Sequence, residues 1–273
     1  MKKHIIILAL ILMASGLILI STSDGFAQTG NEFTVPLSDP AKPGKLKAKI
    51  NYGSITVKGT ARKDILVKYT ASDGKSNNKT TKDGLRRIGG GGIDLKVVEN
   101  DNTVIVSSDS WSTKLNLEIE VPANMDMEVK TYNNGDLMIA NIQGELELTN
   151  YNGEITALNI SGSVVASTYN GKILVGFDKV TPDTPMSYST YNGNIDVTFP
   201  ATLKATLKMK TDRGEIYSGF DVDFKSSGPI EKKDIKSGVY KVTIDEWKRG
   251  EINGGGSEIT MKNYNGDIYV RRK

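Results

Sequence analysis

Hydrophobic and polar positions alternate along most of the chain, and a glycine punctuates the alternation at a fixed interval. Gly135, Gly144, Gly153, Gly162 and Gly171 stand nine residues apart, and each is followed two residues later by an aliphatic: Leu137, Leu146, Ile155, Val164 and Ile173. The next alternate positions, Ile139, Leu148, Ala157, Ala166 and Val175, are apolar too. Alternation at period two buries one face of an extended strand. Asn-Gly between strands supplies the backbone freedom of a tight turn. Two kinds of corner alternate, Tyr-Asn-Gly and then Ile-Gln-Gly or Ile-Ser-Gly (142–144 and 160–162). That alternation predicts an all-β fold, a two-faced parallel β-solenoid with about eighteen residues per coil. A stack of antiparallel hairpins is the competing arrangement for the same pattern.

The corner motif extends well beyond this stretch. Tyr151-Asn152-Gly153, Tyr169-Asn170-Gly171, Tyr191-Asn192-Gly193 and Tyr264-Asn265-Gly266 are identical, and Tyr132-Asn133-Asn134-Gly135 is the same unit with one residue added. Asn51-Tyr52-Gly53 is a shortened form and Asp212-Arg213-Gly214 a degenerate one. Just before each corner comes a small polar residue, Thr131, Asn150, Thr168, Thr190, Thr211 or Asn263, in register with the buried face. Stacked about 4.8 Å apart, these are expected to hydrogen-bond to one another along the axis. The regular coils run from about 125 to 217, broken by a loop at Pro182 and Pro185, and one more coil returns at Ile259–Val270. Residues 46–273 thus read as one domain after a polar leader, 28–45, with irregular excursions at 72–92 and 218–256.

Composition sets the compartment. Lys2, Lys3 and His4 precede an apolar run from Ile5 to Ile20, and small residues lead to Ala27. This is the layout of a secretory signal peptide, 1–27, cleaved after Ala27. The run is shorter than the roughly 20 residues a spanning helix needs, and no other segment is apolar enough, so no transmembrane span is expected in the mature chain. An extracytoplasmic place follows: periplasm, cell surface or medium. The formal charge of +3 gives no basic excess for a nucleic-acid surface. There is no cysteine, and the single histidine lies inside the signal, which removes Ser-His-Asp and Cys-His nucleophile systems and ordinary zinc sites from the mature chain. No cofactor is called for.

The run Val121-Pro122, Thr131, Gly135 and Leu137, followed by Gly-x-Leu/Ile-x-Leu/Ala-x-Thr/Asn-x-Asn-Gly, resembles the bacterial putative-adhesin domain of unknown function. It is similar also to the auto-transporter adhesin head family. The resemblance covers about 46–270 and implies a signal-bearing, Gly-turn β-solenoid of the bacterial envelope. It brings no catalytic residues with it.

The candidate ligand-binding residues are Tyr132, Tyr151, Tyr169, Tyr191 and Tyr264. They follow the inward column by one position, so they should face outward beside the corner. A stripe of rings offers a platform for a glycan or an envelope or cell-surface protein. The same stripe also reads as a stacked ladder that merely shields the corner. Asp136 and Glu154, about 5 Å apart on neighbouring coils, have the separation of a retaining glycosidase pair, but their column continues as Lys172, Asn194, Glu215 and Asp267 and reads as a solvated rim. The expected function is a non-catalytic adhesin-like binding protein. The alternatives are a purely structural envelope component and, last, a β-helix polysaccharide lyase or hydrolase.

Overall fold

The computed structural model describes residues 31–73, 81–82, 85–86, 93–225, 230–236, 239–245 and 247–273. The expected signal and most of the 72–92 excursion lie outside the described residues. Every regular element described is a strand: one mixed sheet of twenty strands and two separate two-stranded hairpins. Among the described residues no helix is long and apolar enough to cross a membrane.

Most of the large sheet is two parallel ladders joined at the corners. In spatial order the first contains Thr103–Ser108, Lys45–Tyr52, Asp126–Asn133, Gln143–Asn150, the second half of Ile155–Ser167, Met186–Asn192, Glu258–Asn265 and Ala205–Arg213. The second contains Thr113–Pro122, Ile55–Thr60, Leu137–Ala140, the first half of Ile155–Ser167, Ile173–Val180, Ile195–Phe199, Ile268–Arg272 and Ile216–Ser218. In the regular stretch the partner lies eighteen residues on, as in Leu137↔Ile155 and Gly144↔Gly162. We call one strand from each ladder, with the corner between them, a rung.

The alternation that predicts strands also decides what they bury. Val129, Leu148, Ala166, Tyr188 and Met261 stand in one inward column of the first ladder, and Ile139, Ala157, Val175, Val197 and Val270 in one of the second. All are at most 1% exposed. Each large aliphatic so buried contributes about 1.5–3 kcal/mol. Phe177 and Phe199 stack inside at 5.2 Å.

Three features depart from a uniform parallel coil. The rung at 45–60 sits between those at 103–122 and 126–140, and the rung at 258–272 between those at 186–199 and 205–218. The borders are antiparallel: Asp64–Asp73 pairs with Thr113–Pro122, Lys96–Asn100 with Thr103–Ser108, and Lys248–Ile252 with Ala205–Arg213. The polar leader contains a strand, Glu32–Pro36, which pairs antiparallel with Asp64–Asp73. Antiparallel strands cover edges that a parallel stack leaves open to other chains. Within 218–256, Ile230–Lys236 and Val239–Asp245 form a hairpin.

Candidate functional site, the tyrosine corner

Each corner is held by the residue before it. Thr131 Oγ1 donates to the Gly53 carbonyl at 2.9 Å, Thr168 to Gly153 at 3.0 Å, Thr190 to Gly171 at 2.9 Å and Thr211 to Gly266 at 2.9 Å. Asn150 and Asn263 use Nδ2 in the same way, on Gly135 and Gly193, at 3.0 and 2.7 Å. The inward column therefore bonds to the corner glycine of the adjacent rung and not to itself, which corrects the expected ladder. The reason is that the glycine carbonyl of the adjacent corner lies within 2.7–3.0 Å of each of these side chains and takes up their donors. Where asparagine replaces threonine, Oδ1 of Asn150 and of Asn263 is buried without a partner. The crowding also accounts for the glycines. A Cβ at Gly171 would lie 2.1 Å from the Gly153 carbonyl oxygen, so the close approach of the two corners demands glycine there.

Beside this column runs a second ladder. Asn152 Nδ2 donates to Asn133 Oδ1 at 2.8 Å, Asn170 to Asn152 at 2.8 Å, Asn192 to Asn170 at 2.7 Å and Asn265 to Asn192 at 2.7 Å. Sequence reasoning took these asparagines for turn formers. The signal was present, since Asn follows Tyr in all five full copies of the motif, but Asn-Gly is explained well enough by turns alone.

The tyrosines follow. Tyr132, Tyr151, Tyr169 and Tyr191 are 39–48% exposed, and Tyr264 is half-buried. Four of them form a continuous stack: Tyr151 on Tyr169 at 5.1 Å, Tyr169 on Tyr191 at 4.8 Å and Tyr191 on Tyr264 at 4.5 Å, with ring planes within 9° of parallel. Strand spacing sets these distances. The out-of-order rung makes Tyr264 the neighbour of Tyr191. The Arg213 guanidinium lies 5.3 Å over Tyr264 and ends the row. At the other side the exposed Trp111 ring tilts against Tyr132 at 5.8 Å. Neither end group belongs to the tyrosine motif, so periodicity could not find them. Partial desolvation, then the neighbouring phenols of Tyr264 and Tyr169, raise the Tyr191 phenol above its ordinary value; it remains a neutral donor and acceptor. Because stacked rings cover one another's faces, the row presents edges and hydroxyls to solvent.

The carboxylate column serves the corners as well. Asp136 Oδ1 accepts the Glu154 N–H at 2.8 Å, and Asp267 Oδ1 the Glu215 N–H at 2.9 Å. Glu154 pairs with Lys172 at 3.0 Å. The Glu215 amide, then the Tyr269 hydroxyl, holds the Asp267 carboxyl below its usual value. Asp136 and Glu154 thus stand on one side of the stack, each with one oxygen engaged, and do not flank a common cleft from two sides.

No family model and no curated protein matches this chain. Two solved structures are distantly similar. One is described as a putative cell adhesion protein from Clostridium sporogenes, at 14% identity and a TM-score of 0.44, over 90% of this chain and 100% of the other. The second is described as a putative adhesin from Bacteroides fragilis, at 12% identity and a TM-score of 0.36, over 89% and 96%. Neither description names the auto-transporter head family.

Proposed function

We propose that this chain is a non-catalytic, extracytoplasmic binding module, a β-solenoid whose tyrosine row meets a glycan or a cell-surface protein. The observation that carries the reading is the unbroken stack Tyr151–Tyr169–Tyr191–Tyr264, exposed along its edge and held in place by the asparagine ladder beside it. Such a row is rigid before any ligand arrives, which lowers the ordering cost of binding. It does not offer ring faces, so single sugars do not stack on it. It offers hydroxyls one strand spacing apart, which suits an elongated partner lying along the axis.

The test replaces hydroxyls and keeps the stack. A triple variant Y151F, Y169F and Y191F should stay folded, and should lose binding to whichever glycan on an array, or surface protein in a pull-down, the wild type retains. Undiminished binding by this variant and by the Y151A, Y169A pair would remove the row from the account. A second reading, a spacer without a ligand, draws on one observation: every ring face inside the stack is already used for cohesion. It expects no ligand on any array, and loss of stability as the sole effect of the alanine pair.

A further inference from the structure

The outer face of the second ladder carries an apolar strip left exposed among the described residues. Met138 is 52% exposed and Leu158 40%, and Leu174 is half-buried in the column that runs from Met138 to Asp196. Registration makes these neighbours: Met138 opposes Thr156, Thr156 opposes Leu174, and Ala140 opposes Leu158. Leu158 leans toward Gly176, where a Cβ would come 3.3 Å from its Cδ2. On the outer face of the first ladder, by contrast, the exposed Ile105 and Val165 lie several strands apart and stand singly.

Charges flank the strip unequally. Three strands to one side of Ile155–Leu158 lies Thr113–Pro122, with Glu118 and Glu120 outward; Ile55–Thr60, two strands away, brings Lys58. Three strands to the other side lies Ile268–Arg272, with Arg271 outward, and Asp196 is two strands away. Glu120 is held only loosely by Arg62, at 3.9 Å. Arg271 spends two N–H donors on Asp196, at 2.7 and 2.8 Å, and keeps the remaining three of a guanidinium.

We propose that this face is a self-association surface and that its occupant is the same face of a second copy of this chain. A two-fold axis along Ile155–Leu158, in the plane between two such faces, exchanges the flanks. It sets Leu158 on Leu158, Met138 on Leu174, Lys58 diagonally by Asp196, and Glu120 of one copy on Arg271 of the other. In the third row Asp136 meets Lys172, and Glu154, already paired with Lys172 of its own copy at 3.0 Å, meets its own counterpart at the axis; everywhere else the pattern is self-complementary, as an isologous contact requires. Seven strands at about 4.8 Å and three outward rows make a patch of roughly 30 by 20 Å, about 600 Å² on each copy, at the lower end for specific interfaces. The dimer is accordingly weak, with a Kd on the order of micromolar.

Sedimentation velocity of the purified chain, over micromolar to hundreds of micromolar, reads the equilibrium directly. L158K should abolish the dimer. E120R alone and R271E alone should each weaken it at least tenfold, because each sets like charges together twice. A mixture of the two single variants should dimerise again, since one contact is then the native Glu120–Arg271 pair and the other is the same pair with its charges exchanged. Recovery in the mixture also shows that both variants are folded. A monomer at every concentration, a dimer that survives both single changes, or a mixture that stays monomeric overturns the proposal.

Discussion

Tyr188 stands in an inward column between Ala166 and Met261 with no exposed surface, and among the described residues its hydroxyl reaches only the Met186 sulfur, at 3.4 Å. A thioether is a weak acceptor. Its ring fills the core, but its oxygen gains little from burial. Desolvation holds the phenol well above its ordinary value of 10.0. The folded state therefore keeps a proton that the unfolded chain gives up near pH 10. The stability tied to that proton is complete below the unfolded value and is lost as pH rises through the folded one, at about 1.4 kcal/mol per pH unit. Y188F removes the titration and keeps the ring. It should unfold at a higher pH than wild type in an alkaline titration followed by circular dichroism, with little change at neutral pH. An unshifted alkaline midpoint would assign that transition to other groups.

The asparagine ladder belongs to the scale of strands and corners, because each amide has meaning only beside the next. Asn170 both donates to Asn152 and accepts from Asn192. The change N170D leaves the shape almost untouched but puts an acceptor where a donor is needed. At neutral pH it should cost about 1–3 kcal/mol in chemical denaturation. At acid pH the protonated carboxyl donates again and much of the loss should return; a loss independent of pH would mean that this amide carries no share of the ladder. Much of this level was readable beforehand. The nine-residue glycine interval announced both strand faces, the alternating corners and the outward tyrosines between 125 and 217. The pairing of rungs was harder to read. All of them carry the same apolar alternation and nearly the same corner, so no local feature says which two will be neighbours. Trp111 and Arg213 were hidden for the opposite reason, because they belong to no repeat.

At the scale of the molecule, the order of rungs decides how stability is distributed. A stack built in chain order would keep residues 258–272 at one end, where they would contact a single neighbour, and their loss would be local. Here that rung fills the space between the rungs at 186–199 and 205–218, pairing with both in both ladders. It also carries Tyr264, which joins Tyr191 to Arg213 along the outer row. In a repeat structure, stability is a sum of unit and nearest-neighbour terms. Removing 258–273 therefore deletes two interfaces at once and strands the rung at 205–218 away from the remainder of the core. Hydrogen exchange of the shortened chain should show lost protection throughout 205–218 and along the newly opened edge of 186–199, while 126–158 stays protected. Protection unchanged across 205–218 would mean that the rungs at 186–199 and 205–218 can close directly on each other, and that the inserted rung is an addition to the stack and not its keystone.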